Sequence, residues 1–395
     1  MAHKRPTISD VARAADVSIG TVSNAINSPE KVRPGTLARI EAAIARLNYR
    51  PSAVARFLPA AATVRRSADR LRLPRLISVG YISVDYVCRV SVLPHRDDRV
   101  TAEHIEKALG GPAANVAVAA AGVGSDFALD AELATAVGGD PDSDWALAEL
   151  ARRGVHALTI RRPFNNRLSR CVVIVEANGR RTIINEPFEL SEVDLTAHLA
   201  VTAEDRPCCL HIEGYHYERM MGSFGRFHDA GWKISLHTTG LPASSRTPEA
   251  FAGLVRAIDL VFVNDVALRD IFAMRPSIAT MIDNLEVWLH GIDPRADVVL
   301  TLGDLGAVVF PSDDGPPIFV PALAVDVVDA TGAGDTFAGV FLSFWMHGAS
   351  LGEAARHAAI AASLTTTAEG AQGRISTLDD LTAELQRMAP EEAEA

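Results

Sequence analysis

Cysteine is scarce in this sequence: four in 395 residues, at Cys88, Cys171, Cys208 and Cys209. None belongs to a C-x-x-C pair, so neither a zinc site nor a disulfide framework is signalled, and a reducing cytoplasm is the expected compartment. Long apolar runs are missing too. The most apolar windows, 113–124 and 336–346, stop short of the ~20 residues a membrane helix needs. The opening MAHKRPTISD has no apolar stretch behind its basic residues, so neither a secretory leader nor a membrane partner is expected. No Gly-Lys dipeptide occurs, which excludes a Walker A loop, and His211 and His216 lack the H-E-x-x-H frame of a metallopeptidase. These histidines, and Cys208–Cys209 behind Pro207, are expected to serve packing.

The chain is long enough for more than one domain and for a large core, and 48% hydrophobic with 22% charged residues is a soluble, globular composition. Charge is unevenly spread. Residues 1–75 hold 14 Lys and Arg against 5 Asp and Glu, a balance of +9, while the remainder holds 24 against 44, a balance of −20. A basic module on an acidic body points to a polyanion partner.

The basic end has a matching pattern. TISDVARAADVSIGTVSNAIN (7–27) reads as two short helices with a tight break. Thr7 caps the first with Asp10 three residues on, and Ile8, Val11 and Ala12 give its inward face. Ser18 caps the second. Residues 36–48 form a third helix with Leu37, Ile40, Ile44 and Leu47 on one side. Such a helix-turn-helix sends its second helix into the major groove by its N-terminal residues. The stretch 7–58 closely resembles the DNA-binding head of the lactose-repressor (LacI) family, an all-α, lambda-repressor-like fold. That resemblance implies a double-stranded DNA operator bound by a homodimer. It places Ile19, Gly20 and Asn24 at the base-reading positions, Thr21 and Ser23 near phosphates, and Leu58 of PSAVARFL as a minor-groove wedge. Gly20 departs from the family, where a side chain often reads bases. Residues 59–74, rich in Ala and Arg, read as a linker.

From Leu76 the rhythm is strand and helix in alternation, which predicts a mainly parallel α/β sandwich. CVVIVEANGRRTIINEP (171–187), a hairpin turning at Asn178–Gly179, is out of step and suggests a small β lid. The chemistry concentrates in DATGAGDTF (329–337). Gly332, Ala333 and Gly334 precede an apolar helix, so the amides of 332–335 sit at a helix N-terminus, where small residues let an anion approach the backbone. Asp335 in that position makes sense as a base that takes a proton from a hydroxyl attacking phosphorus.

Together with GGPAAN (110–115), this stretch resembles the PfkB/ribokinase family of carbohydrate kinases over residues 75–380. The resemblance implies a three-layer α/β sandwich with a β lid, and ATP, Mg²⁺ and potassium as cofactors. It makes Asp335 the catalytic base and the amides of Gly332, Ala333, Gly334 and Asp335 the anion hole. Asp85, Gly110, Gly111, Asn115 and Glu213 would bind a sugar or related polyol. Thr301, Gly303 and Gly306 would lie under the nucleotide, Asn264 near magnesium and phosphate, and Asp329 and Thr331 by a monovalent cation. The family's N-x-x-E pattern fails at its last position, where the chain has Ala267.

The expected organisation is multidomain: a head with hinge (1–58), a linker (59–74), a kinase body (75–385) and an acidic tail (386–395). The expected function is a transcription regulator whose body binds and phosphorylates a carbohydrate. A regulator with an idle kinase fold, and a kinase with a merely localising head, are the alternatives.

Overall fold

Alternation within the strands decides the architecture of the body. In the computed structural model, the described residues are 8–18, 21, 22, 33, 35, 36, 39, 40, 43, 46 and 70–388, without 163–166, 177–180, 188 and 197–198. Chain contacts divide into two units, residues 1–71 and 72–395.

In the first unit, helix α1 (Ile8–Ala15) buries Val11, Ala12 and Ala15 against Val22, Ile40 and Ala43. Ser18 Oγ accepts from the backbone N–H of Thr21 at 3.1 Å, the cap its sequence position calls for. Ile19, Gly20, Ser23, Asn24 and Leu58 lie outside the described residues.

The second unit begins with β1 (Arg75–Val79), β2 (Ser83–Val90), β3 (Ile105–Gly110), helix α2 (Pro112–Val123), β4 (Asp130–Val137), α3 (Pro141–Arg152), β5 (His156–Arg161), β6 (Ser169–Glu176) and β7 (Arg181–Asn185). There follow β8 (Cys208–Glu213), β9 (Lys233–His237), α4 (Pro248–Ala257), β10 (Leu260–Asn264), α5 (Asp265–Phe272) and α6 (Ile278–Ile292). The chain then runs through β11 (Asp297–Thr301), β12 (Ala307–Phe310), β13 (Ile318–Val320), α7 (Ala333–Met346), α8 (Leu351–Thr365) and α9 (Leu378–Met388).

Nine strands form one sheet in the order β13-β12-β11-β10-β9-β8-β1-β4-β5. Pairing is parallel from β11 to β5 and antiparallel at β12 and β13. Its strands are apolar on both sides. Along β10, Val261 and Val263 enter one core while Leu260 and Phe262 enter another; β11 divides Val298 and Leu300 from Val299 in the same way. A period of two feeding two cores requires helices on both faces. One core takes in α3, α4, α5 and α6, and the other takes in α7, α8 and α9, with α2 contributing to both.

The lid is larger than the hairpin the sequence singles out. It has four strands in the order β3-β2-β6-β7, with β2 and β6 parallel. The segment 75–85 therefore spans parts of two strands. Core strand β1 stops at Val79, and Asp85 lies on lid strand β2, opposite Ala108 and Cys171.

Candidate active site

On the face of the sheet covered by α2 and α7, side chains become polar toward the carboxyl ends of the strands. Leu76 and Cys209 are apolar, whereas Ser78 and His211, one step further along the same strands, and Ser235 beside His211 are polar and fully buried. Beyond them come Glu213 and His237, side by side in register on β8 and β9, and then Asn264 and Thr301. Buried polar groups need partners, and here several partners come from helix N-termini.

The turn into α7 supplies the centre. Gly332 caps the helix in the left-handed region at φ 75°, and a Cβ there would stand 2.5 Å from Ala371 Cβ. Asp335, in the first turn, is buried. Its Oδ2 accepts from Asn115 Nδ2 at 2.8 Å, and Asn115 Oδ1 accepts in turn from Gln372 Nε2 at 2.8 Å. The Nδ1 of His237 lies 3.4 Å from Asp335 Oδ1. Asn115 of α2 and His237 of β9 thus meet at the carboxylate of α7, with Gln372, after α8, supporting Asn115. Backbone amides at a helix N-terminus favour an anion, and a carboxylate beside them can accept a proton as a hydroxyl attacks that anion.

The four-stranded sheet brings Asp85 close enough to Asp329 to feel its charge. Asp85 Oδ1 accepts from Ser83 Oγ at 3.0 Å. Burial raises its carboxyl above the ordinary range, opposed by hydrogen bonds from Ser83 and Cys171; the Cys171 thiol, also buried, is pushed up to about 12. Gly110 lets this carboxylate approach, since a Cβ there would stand 2.3 Å from Asp85 Oδ2. Gly111 caps α2, four residues before the buried Asn115.

Glu213, expected at the substrate, has partners within the protein. It is fully buried; Oε1 accepts from the backbone N–H of Tyr81 at 2.9 Å and from His216 Nδ1 at 3.1 Å, and Oε2 accepts from that of Ala113 at 3.3 Å. Burial pushes its carboxyl up, against the pull of these partners. It ties the β1–β2 connection to the start of α2, a positioning role. His211 and His216 are both buried, and burial, helped by His237, lowers His211 to about 3.

Thr301, Gly303 and Gly306 line a cleft of about 500 Å³ together with Ala333, Gly334 and Phe337. Its mostly apolar wall leads directly to the amides of the α7 turn, which fits a nucleotide with its phosphates at that end. Asn264 lines a different, open cleft with Ala267, Asp270 and Arg246. Its Oδ1 is engaged in capping α5, accepting from Ala267 N at 2.7 Å. With a methyl group at 267, Asp265 3.5 Å from Arg269 and Asp270 3.9 Å from Arg246, this turn does not fit a protein-held divalent cation. Asp329 Oδ1 accepts from Thr331 N at 2.9 Å and Thr331 Oγ1 at 2.6 Å, and its Oδ2 accepts from Gly370 N at 2.9 Å.

Sequence reasoning missed His237, Gln372 and Ala371. No local pattern marks them; each reaches the site through tertiary packing.

Among the described residues no helix is long and apolar enough to cross a membrane. Residues 73–378 match the family model described as pfkB family carbohydrate kinase, and residues 7–52 match that described as bacterial regulatory proteins, lacI family. The ATP-dependent ribose-1-phosphate kinase of Halopiger xanaduensis is 26% identical over 303 residues, covering 75% of this chain and 94% of that protein. Catabolite control protein A of Staphylococcus epidermidis is 51% identical over 75 residues, 19% of this chain and 22% of that protein. Among solved structures, Arabidopsis thaliana ribokinase complexed with ribose and ATP superimposes with a TM-score of 0.63 at 23% identity, covering 80% of this chain and 99% of that one.

Proposed function

The chain belongs to the pfkB family of carbohydrate kinases, and from that premise we propose that it is a DNA-binding transcriptional regulator whose body phosphorylates a sugar or related polyol. The observation that carries the reading is the placement of Asp335: buried at the N-terminus of α7, held by Asn115 at 2.8 Å, and next in sequence to Ala333 and Gly334, which line the nucleotide-sized cleft. In this reading Asp85, Asn115 and the Gly110–Gly111 turn hold the acceptor's hydroxyls, whose need for donors and acceptors an Asp and an Asn meet. Asp335 takes the proton of a hydroxymethyl group as its oxygen attacks the γ-phosphorus of ATP. The amides of Gly332–Asp335 neutralise the charge that develops on the transferring group. Thr301, Gly303 and Gly306 seat the nucleotide. Asn264 stands near its phosphates, and magnesium arrives bound to ATP. The segment around Asp329 and Thr331 is where a monovalent cation such as potassium would act.

The lacI-family match over residues 7–52 supports the regulator half of the reading. Ser18, Ile19, Gly20, Thr21, Ser23, Asn24 and Leu58 would contact an operator as a dimer in the cytoplasm, with the head at 1–58, the linker at 59–74, the body at 75–385 and the tail at 386–395. The two halves are useful on one chain if sugar binding changes operator affinity. A shift of about 5- to 150-fold is the usual range of such coupling.

Two measurements test this. The full chain with ATP and Mg²⁺ should phosphorylate one member of a broad sugar, polyol and nucleoside panel. Operator affinity, selected from genomic fragments, should change when that substrate and a non-hydrolysable ATP analogue are added. Ala267 favours a second reading, a sensor with little turnover. Tight binding of a panel member with no phosphorylation would establish it, and operator affinity indifferent to ligand would leave two unconnected activities.

A further inference from the structure

Asn115 holds one oxygen of Asp335, and the other faces a side chain to which no role has been given. His237 ends β9 with its Nδ1 3.4 Å from Asp335 Oδ1. The ring is 94% buried by its 6% exposure, and Nδ1 has no hydrogen-bond partner among the described residues. It stands edge-on to Phe262, centroids 6.4 Å apart and planes at 87°. Its Cε1 and Nε2 lie 3.8 Å from where a Cβ on Gly334 would be. Glu213 and His211 neighbour it on β8. Packed on these sides, the ring is held with Nδ1 3.4 Å from the carboxylate, short of a formed hydrogen bond.

An imidazole nitrogen facing a carboxylate oxygen is favourable only when that nitrogen carries the proton, because two lone pairs would otherwise oppose each other. We propose that His237 is a positioning residue for the base: its Nδ1–H donates to Asp335 Oδ1 as the site closes on substrate, while Asn115 holds Oδ2. The proposal rests on the reading of Asp335 as the base of a kinase. One anchor lets a carboxylate pivot, whereas two fix its plane, and catalytic hydrogen bonds that are long in a free enzyme tighten in the substrate complex. The proton balance is simple. The acceptor hydroxyl gives its proton to Asp335 and bonds to the γ-phosphorus, the bond from that phosphorus to the β–γ bridging oxygen breaks, and His237 keeps its proton throughout.

The two ring nitrogens can be separated by substitution. The amide nitrogen of Asn reaches roughly where Nδ1 stands, and that of Gln roughly where Nε2 stands. In the full chain, His237→Leu and His237→Gln should lower kcat about 10- to 100-fold, the size of a hydrogen bond to a charged group. KM for sugar and for ATP should stay within about twofold, and His237→Asn should recover most of the rate. Equal rescue by Gln, or a loss confined to KM, overturns the proposal. A second measurement needs no activity. In a chain carrying ¹⁵N-histidine, with His237 assigned from the His237→Asn spectrum, Nδ1 should be protonated in the wild type and should lose its proton to Nε2 in Asp335→Asn. An Nε2-protonated His237 in the wild type overturns the proposal. A wild type that phosphorylates nothing would remove the kinase reading, while the tautomer would still decide whether His237 holds Asp335.

Discussion

At the turn into α7, Gly332 adopts a left-handed conformation, the following amides point outward, and Asp335 is buried with Asn115 on one oxygen and His237 near the other. At the turn into α5, Asn264 is both the last residue of β10 and the helix cap; its side-chain oxygen is committed to the N–H of Ala267, and the third helical position is a methyl group. Both are helix N-termini, whose first amides lack partners within the helix. Only the first buries its carboxylate against side chains from other elements; Asp265 at the second pairs with Arg269 of its own helix. A helix N-terminus supplies affinity for an anion; turning that affinity into transfer requires a base held by neighbours from other elements. The α7 turn has both, and the α5 turn retains only the first.

The widest way to break the comparison is to remove the carboxylate. Asp335→Asn keeps the shape of the α7 turn and its amides but leaves no base, which makes it resemble the α5 turn. Turnover should fall by about 10²- to 10⁴-fold, with sugar and nucleotide still raising the melting temperature of the variant through binding. Retained turnover would place the base elsewhere.

Next in size is the backbone itself. Gly332→Ala puts a Cβ 2.5 Å from Ala371 Cβ at φ 75°. The neighbouring segment would have to move, and with it Gly370, whose N–H serves Asp329, and Gln372, which orients Asn115. Strain of this kind costs about 1–3 kcal/mol. The expected outcome is a melting temperature lower by several degrees and a kcat reduced about tenfold or more, because the Asn115–Asp335 pair loses its support. An unchanged kcat in a destabilised variant would show that the pair does not depend on the 370–372 segment.

How much of this could be read in the sequence follows from where each demand is written. Gly332, Ala333, Gly334 and Asp335 are legible because a left-handed turn and an anion site must be spelled in adjacent small residues, and Gly110–Gly111 because a carboxylate needs room beside it. The lid strands were harder. RLISVGYISVDYV is mostly apolar, and its break between β1 and β2 is marked only by Gly80. Its reason is the buried Glu213, whose Cδ would stand 2.3 Å from a Cβ there, and that residue is 133 positions away. His237 carries no local signal at all. Its contact with Asp335 exists only once β9 lies beside β8 and β10 and α7 packs over them. Side chains specified by long-range register are invisible to patterns that span a few residues.

The smallest expected effect sharpens the comparison from the other side, by giving the α5 turn the carboxylate it lacks. Ala267 is half-buried and lines an open cleft of about 830 Å³, so a longer side chain has room. A glutamate at this position stands three residues after the cap Asn264, where it can reach back to the cap's own N–H as a capping-box partner and lie favourably against the helix dipole. Ala267→Glu should therefore stabilise the body by about 0.5–1 kcal/mol even without ligand, read as a rise in denaturation midpoint at unchanged slope. If a carboxylate there also helps a hydrated divalent ion settle on the ATP phosphates, the Mg²⁺ concentration for half-maximal rate should fall several-fold, with kcat rising by less than about tenfold. Stabilisation without a change in Mg²⁺ requirement would mean that the α5 turn is only a helix cap in this chain, and that the α7 turn carries transfer alone. A rise in kcat far above tenfold would mean the reverse: that the native protein is held at low turnover by one missing carboxylate, as a sensor would be.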